Sequence, residues 1–207
     1  MAVATSYIVY SRARARRLPR FDGVSANLIC GGDRSGMEQR SGAERLKRFY
    51  DRLGVITALI GLAVSAYGLY VELMLDKHGT SYEPMCDINS VVSCSKALHS
   101  RFAIGLGLVE PVLGAEHILN QKNALYGVLV YAVMVPLQTV GSGWAVTVTL
   151  AMSLFMNALS IYLFFVLVYL RVICIVCFTI YAINAILLAV NMKRRRISDL
   201  LLGKKKA

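Results

Sequence analysis

Charged residues are scarce in this chain and absent from long stretches of it. Only 17% of the 207 residues are Asp, Glu, Lys or Arg, whereas 57% are hydrophobic. This balance excludes an ordinary soluble domain, and the length excludes two large domains. Only 12 acidic residues oppose 23 basic ones, and the basic residues cluster near the two ends and beside apolar runs. That placement favours anchoring of membrane helices over nucleic-acid binding.

The uncharged stretches predict an all-α integral membrane protein, a bundle of four transmembrane helices. A helix rises about 1.5 Å per residue, so about 20 apolar residues cross a hydrocarbon core of about 30 Å. The uncharged run 123–170 is long enough for two such helices, and Gly141-Ser142-Gly143 predicts the turn between them. The predicted helices cover residues 53–75, 123–140, 144–169 and 171–192.

Basic residues also predict the orientation of these helices. Arg45, Lys47, Arg48 and Arg52 precede the first helix, and Lys193 to Arg196 follow the last, which places both ends in the cytoplasm. The segment between the first two helices, 76–122, is then a nearly neutral loop on the far side. The sequence therefore divides into a basic tail (1–45), a membrane domain (46–192) and a basic cytoplasmic tail (193–207).

The N-terminal tail, 1–45, is rich in arginine and lacks the apolar core of a secretory leader. We expect it to be a disordered cytoplasmic segment. A mitochondrial-type presequence, or a working start near Met37, are the alternatives. Cys30, within this tail, is expected to be an idle cytosolic thiol.

The other four cysteines are predicted to meet on one side of the membrane. Cys86 and Cys94 lie in the loop, and Cys174 and Cys177 are expected in the first turns of the fourth helix, which begins on that side. Helix residues three apart share a face. Because thiol pairs exchange disulfides by thiolate attack, this arrangement predicts an electron relay. The loop pair would face water, and the helix pair would face a substrate dissolved in the lipid.

Three other interpretations of these cysteines stay open. Cysteine in a membrane helix can be an inert small hydrophobic residue, and the loop pair can form a purely structural disulfide. Four cysteines can also bind zinc, but seven residues separate Cys86 from Cys94, more than zinc knuckles use. An oxidising compartment favours disulfides. The three histidines of the loop lack a ligand-like spacing, so we expect no metal site.

The motifs around these cysteines resemble those of the vitamin K epoxide reductase family in order and spacing, over about residues 50–192. The resemblance implies a four-helix enzyme of the endoplasmic reticulum membrane. Such an enzyme reduces vitamin K 2,3-epoxide to the quinone, and the quinone to the hydroquinone. The matching motifs are Cys86-Asp87, Cys94-Ser95, Gly105-x-Gly107-Leu108-Val109, Leu119-Asn120-Gln121-x-Asn123 and Cys174-x-x-Cys177-x-Thr179-x-Tyr181-Ala182-x-Asn184.

The resemblance also implies a role for each cysteine. Cys177 would attack the bound naphthoquinone, and Cys174 would resolve the adduct into a disulfide. Cys94 would then reduce that pair, and Cys86 would complete the loop disulfide and take electrons from a thioredoxin-like luminal partner. No bound cofactor is implied, since the quinone is the substrate and a dithiol is the reductant.

Four further positions match the family's substrate pocket. Asn123 and Tyr181 would hydrogen-bond the quinone oxygens, which makes chemical sense because buried carbonyl groups need donors and gain negative charge as the thiolate adds. Tyr126 and Leu98 would line the pocket. From the residues alone, Asn123 also suits a helix cap and Tyr181 an aromatic belt. Asp87 is expected to start a helix or face a partner.

The chain departs from the family in the luminal cap. Familiar members read Arg-Trp-Gly-Arg-Gly-Phe-Gly-Leu there, whereas residues 101–108 read Arg-Phe-Ala-Ile-Gly-Leu-Gly-Leu. The resemblance therefore leaves epoxide turnover and coumarin sensitivity open. The C-terminal sequence Lys204-Lys205-Lys206-Ala207 resembles a dilysine retrieval signal, which fits the endoplasmic reticulum.

Two alternative functions stay in view. The same relay run in reverse would make a quinone-dependent thiol oxidase that generates disulfides in luminal proteins, and direction is set by reduction potentials. A non-catalytic four-span scaffold or small transporter is the alternative outside the enzyme class. It is disfavoured because we expect no Asp, Glu, Lys or Arg inside any span to make an ion path.

Overall fold

Four long helices make up most of residues 32–89, 91–114 and 116–206, the parts of the chain that this computed structural model describes. Two short helices and three single 3₁₀ turns connect the first long helix to the second. No strand occurs in these described ranges, so the predicted all-α class is confirmed. In chain order the helices are α1 (Gly32–His78), α2 (Cys94–Leu98), α3 (Val109–Leu113), α4 (Asn123–Thr139), α5 (Gly143–Leu170) and α6 (Ile175–Lys206).

The site described below belongs to one unit, residues 40–207, and residues 1–39 belong to another. Helix α1 begins at Gly32, so residues 32–45 are helical where the sequence analysis predicts disorder. Good helix formers such as Met37, Glu38 and Ala43 favour this conformation. The predictions for residues 1–31, including Cys30, lie outside the described residues.

Three of the helical stretches in the described residues are long and apolar enough to cross a membrane. They are Arg40–His78, Gly143–Leu170 and Ile175–Leu201. Helix α4 is also apolar, but its 17 residues lie at the lower limit for a span. Large apolar side chains point outward, for example Phe155 and Phe165, which are 63% and 65% exposed. These features identify a multi-pass membrane protein.

The four long helices share one apolar core, which closes tightly between α1 and α4. A Cβ atom built on Gly61 would lie 2.4 Å from the Tyr131 ring, so only glycine fits there. The Tyr131 hydroxyl then donates to the side-chain oxygen of Asn184 on α6, at 2.6 Å. Buried members of the core are Ala58 of α1, Tyr131 and Met134 of α4, Met156 of α5, and Ile183 and Leu187 of α6.

Helices α4 and α5 follow the predicted ranges 123–140 and 144–169 within one residue, and residues 140–142 connect them. Helix α5 ends where Arg171 adopts a left-handed conformation, with φ 53° and ψ 39°. Two backbone hydrogen bonds close its last turn in the pattern of a C-terminal cap. The chain then leaves the helix, and α6 begins at Ile175 rather than at 171. Cys174 therefore precedes α6, and its predicted place in the first turn is wrong.

Among the side chains that the structure describes, two charged ones lie buried within the long helices, although the sequence analysis predicted no buried charge. Glu72 of α1 is 2% exposed, and Arg194 of α6 is fully buried. The last predicted span stops at 192, before Arg194, and the first contains Glu72 without predicting its burial, because the pattern of charges along the chain does not show which charged side chains lie inside the fold. Arg194 finds partners in the Asp51 carboxylate and in Gln138. The argument that set the scaffold alternative aside is therefore wrong in its premise.

Candidate active site

The two cysteine pairs lie together at one end of the helices. Cys86 and Cys94 form a disulfide, with 5.8 Å between their Cα atoms, whereas Cys174 and Cys177 are free thiols. Cys86, Cys94 and Cys174 are buried in a common apolar cluster, and Cys177 packs against that cluster. A zinc site would need the sulfur atoms of Cys86 and Cys94 as thiolates, and here they are bonded to each other.

A main-chain pairing holds the loop pair beside the helix pair. The Ser93 N–H donates to the Ile173 carbonyl at 3.0 Å, and the Ile173 N–H donates to the Val91 carbonyl at 2.8 Å. The residue after each paired segment is a cysteine, Cys94 on one side and Cys174 on the other. The pairing is parallel, so both segments deliver their cysteines into the same cluster.

Cys174 occupies the N-cap position of α6. Its carbonyl accepts the Phe178 N–H at 3.0 Å, and its Sγ accepts the Cys177 N–H at 3.3 Å. The unpaired N–H groups of a helix start stabilise negative charge. This position therefore suits a thiolate on Cys174, a consequence of the helix beginning at Ile175, four residues later than predicted.

Asp87 fixes the conformation of the loop around the disulfide. Its Oδ1 accepts the backbone N–H groups of Cys94 at 2.5 Å and Ser95 at 3.1 Å. Its Oδ2 accepts the hydroxyls of Ser93 and Ser95. Partial burial alone would raise the pKa of Asp87, but these hydrogen bonds outweigh it and lower the pKa below its ordinary value. Asp87 starts no helix itself; its carboxylate accepts the N–H groups of the first two residues of α2, whose N-cap is Ser93.

An apolar cavity of about 130 Å³ lies beside Cys177, between the long helices and the loop. Cavities of this kind, apolar with a few polar groups, are typical ligand sites. Three of the predicted substrate-binding residues, Asn123, Tyr181 and Leu98, are on its wall together with Cys177. The remaining wall residues are Ser65, Gly68, Glu72, Ala97, Ser100, Phe102, Ala103, Ala124, Gly127, Leu163, Val166, Leu167, Leu170, Val176 and Ile180.

The fourth predicted residue, Tyr126, lies elsewhere. It is not on the cavity wall, and its hydroxyl donates to the Leu119 carbonyl. Tyr181 is on the wall and packs against the Phe178 ring, with 5.9 Å between ring centres. The sequence position of Tyr126 indicated a pocket residue, whereas its contact places it as a support for the loop that precedes α4.

Asn123 is on the wall but both ends of its amide are engaged with the loop. Its Nδ2 donates to the Phe102 carbonyl at 2.7 Å, and its Oδ1 accepts the Leu106 N–H at 2.9 Å. The Tyr162 hydroxyl also donates to the Leu106 carbonyl, at 3.1 Å. Asn123 therefore ties the stretch 101–108 to the helices in this structure.

Glu72 is a charged residue on the cavity wall, and the sequence analysis did not select it as a site residue. It lies one and two helical turns beyond Gly68 and Ser65, so the three share one face of α1. That spacing is the signal that could have found it. The uncharged window used to locate the first helix stops one residue before Glu72; the predicted helix 53–75 continues past this residue, but the sequence analysis assigned it no role.

Comparison with known proteins decides the family. The family model described as "Vitamin K epoxide reductase family" matches residues 52–192. "Vitamin K epoxide reductase complex subunit 1" of Rattus norvegicus is 39% identical over 144 residues, which cover 69% of this chain and 89% of that protein. The Mus musculus protein of the same description is 38% identical over 137 residues, 66% of this chain and 84% of that protein.

This chain belongs to the vitamin K epoxide reductase family. It is an oxidoreductase, and the resemblance read from its motifs is confirmed over nearly the predicted range. In this family member, residues 101–108 (the cap stretch) differ from the familiar sequence, and the aromatic ring of Phe102 in this stretch packs against its neighbours. The Phe102 ring lies 5.0 Å from the Arg101 guanidinium carbon and 6.4 Å from the Tyr169 ring. Phe102 thus keeps an aromatic ring where the familiar members carry tryptophan.

Proposed function

We propose that this protein reduces vitamin K 2,3-epoxide to the quinone, and the quinone to the hydroquinone, with the Cys174–Cys177 pair as the reductant. One observation carries the proposal: the free thiol of Cys177 is on the wall of an apolar cavity, and the Cys86–Cys94 disulfide lies in the same cluster as Cys174. A lipid-soluble quinone and a water-soluble dithiol then meet the same relay from opposite sides.

The chemistry balances with two thiols for each reduction. Cys177 attacks the substrate through sulfur, and Cys174 attacks the Cys177 sulfur, which leaves a Cys174–Cys177 disulfide. The electron pair and two protons pass to the substrate. The quinone becomes the hydroquinone in this way, and the epoxide becomes the quinone and one water.

Regeneration uses the loop pair. The Cys94 thiolate attacks the Cys174 sulfur of the oxidised pair, and Cys86 then attacks Cys94. This exchange releases the two helix thiols and leaves a Cys86–Cys94 disulfide, which is the redox state described above. A thioredoxin-like partner reduces the loop disulfide and completes the cycle. The burial of Cys94 and Cys174 in one cluster supports this step.

All four long helices span the membrane in this proposal, with both termini cytoplasmic in the endoplasmic reticulum and the loop luminal. Helix α4 starts where Asn123 bonds the loop, and it ends near Gly141, whose carbonyl accepts the Lys47 ammonium of α1. It therefore extends from the cysteine end of α1 to the opposite end. The basic residues at both termini support a cytoplasmic location for that opposite end.

Purified protein in detergent tests the proposal. Vitamin K epoxide and plain quinone are offered separately with dithiothreitol, and the products are separated by chromatography. We expect the wild type to convert both substrates and Cys177→Ala to convert neither. A protein that converts only the quinone retains the relay but not the epoxide reaction. Equal product formation by wild type and Cys177→Ala would overturn the proposal and restore the scaffold alternative.

A further inference from the structure

Glu72 is a buried acid that the cysteine relay does not use. It is 2% exposed and on the wall of the cavity that also contains Cys177. Neither carboxylate oxygen has a hydrogen-bond partner among the described residues. Buried polar groups in folded proteins are nearly always paired, so an unpaired one at a cavity surface indicates a missing partner. That partner is whatever occupies the cavity.

The neighbours of Glu72 do not supply the missing partner. Lys122 acts on Glu72 electrostatically, but its ammonium forms its ion pair with the Asp76 carboxylate at 2.7 Å. An unpaired carboxylate in an apolar cavity has a large free-energy cost, and a neutral carboxyl group has a much smaller one. The protonated acid also carries an O–H donor, which can serve an oxygen atom of a ligand.

The other polar groups of the wall leave this task open. The Asn123 amide already donates to the Phe102 carbonyl and accepts the Leu106 N–H. The Ser100 hydroxyl donates to the Ala97 carbonyl at 2.7 Å. Each reduction nevertheless delivers two protons to oxygen atoms of the substrate. The Ser65 and Tyr181 hydroxyl groups are also on the wall and can donate hydrogen bonds, but they are far weaker acids than a carboxyl group, so Glu72 is better able to deliver one of these protons.

We infer that Glu72 is a catalytic acid, which donates its proton to a substrate oxygen as the thiols deliver electrons; this rests on the proposed function. The attacking thiol releases its proton when it ionises, the other thiol releases its proton as the disulfide forms, and the Glu72 carboxylate regains one of these two protons. The overall balance is unchanged, because two thiols still supply two electrons and two protons. Both thiols lie within electrostatic range of Glu72, which supports the return of the proton.

The inference predicts a specific pH dependence. Catalysis needs an ionised thiol and a protonated Glu72, so the turnover rate rises with pH as the thiol ionises and falls at higher pH as Glu72 ionises. Replacing Glu72 with glutamine keeps the shape and removes the proton. The ionisable groups that face Glu72 are Asp76 on α1, Lys122 before α4, Cys174 before α6, and Cys177 and Tyr181 on α6.

The experiment compares Glu72→Gln, Glu72→Asp and wild type in detergent with dithiothreitol and each substrate. We expect Glu72→Gln to lower kcat by about 100-fold or more with little change in KM, and its rate to lose the fall at high pH. Glu72→Asp keeps a carboxyl group and should retain that fall with part of the rate. Glu110→Gln, an exposed acid of α3, is the matched control and should behave as wild type.

Other outcomes overturn the inference and separate it from the proposed function. A Glu72→Gln variant with wild-type kcat, or with lower kcat but an unchanged pH profile, would show a role in structure only. The same follows if Glu72→Asp loses the fall at high pH. If Glu72→Gln fails to fold, the wild-type and Glu72→Asp profiles decide. A wild type that turns over neither substrate would overturn both conclusions together.

Discussion

Arg194 is fully buried, and its Nε lies 2.5 Å from Oδ1 of Asp51. This ion pair joins the last helix to the first at the end opposite the cysteines. The same guanidinium donates to the Gln138 side chain and to the backbone carbonyls of Gln138 and Val140. One side chain thus holds α1, α4 and α6 together, far from the redox chemistry.

Asp51→Ala should destabilise the protein by about 3 to 5 kcal/mol, because it leaves a buried guanidinium without its counter-ion. Thermal unfolding in detergent measures the loss. Asp199→Ala, which removes the partially exposed Arg195–Asp199 pair, is the control and should change stability by about 1 kcal/mol or less. Similar effects of the two variants would contradict the conclusion that the Arg194–Asp51 ion pair holds the helices together.

Asp87→Asn should speed reduction of the Cys86–Cys94 disulfide by dithiothreitol. The amide cannot accept all the N–H and O–H donors that the carboxylate now accepts, so the loop loosens around the sulfur atoms. Quenching with a thiol-alkylating reagent at set times measures the rate. Glu83→Gln changes an exposed acid of the same loop and should leave the rate unchanged.

The same carboxylate predicts an acid-sensitive loop. The pKa of Asp87 is lower in the folded state, so its contribution to stability is fully present above the unfolded value of about 3.9. It is lost as the pH falls through the folded pKa. Proteolysis of the loop at graded pH should show wild type becoming sensitive over that window. The Asp87→Asn variant should show no such step.

Ile173→Pro should uncouple the loop from the helix thiols. Proline lacks the N–H that Ile173 donates to the Val91 carbonyl, so the pairing beside the two cysteines is broken. Turnover with a thioredoxin-like donor should fall more than turnover with dithiothreitol, which can reduce the helix pair directly. Cys86→Ala should show the same split. Equal losses with both reductants in these variants would contradict the relay.

Asn123→Asp should free the cap stretch without changing side-chain size. A carboxylate still accepts the Leu106 N–H but cannot donate to the Phe102 carbonyl, which is 2.7 Å from the amide nitrogen. Hydrogen exchange of residues 101–108 should accelerate, and KM for the quinone should rise. Unchanged exchange with a raised KM would assign Asn123 to the ligand alone, as the family resemblance implies.

The sequence predicted the parts of this protein that depend on apolarity and spacing. The α4 and α5 ranges, the turn between them and the meeting of four cysteines follow from uncharged runs and from helix direction. It did not predict that Glu72 and Arg194 are buried, because a pattern of charges along the chain cannot show whether a charged side chain lies inside the fold. It started α6 four residues too early, at 171, and so placed Cys174 inside the helix, since the cap at Arg171 depends on backbone conformation.

Similar limits apply to the pocket. The family resemblance assigned Leu98 and Tyr181 to the pocket, and both lie on the cavity wall. Tyr126 does not, because its hydroxyl bonds the Leu119 carbonyl, a contact that no pattern of neighbouring residues reveals. The amide of Asn123 suited both a helix cap and a ligand, and only the folded loop shows that it is already occupied.

The pairing of Ile173 with residues 91–93 is made by peptide groups, and the Ile173 and Val91 side chains remain 46% and 50% exposed. The side chains at these two positions can therefore be replaced by those of residues other than proline without loss of the backbone hydrogen bonds between residues 91–93 and Ile173. In the proposed relay, a thiol donor that docks on the loop would contact these exposed side chains, whereas the hydrogen-bonded peptide groups that hold Cys94 beside Cys174 do not depend on them.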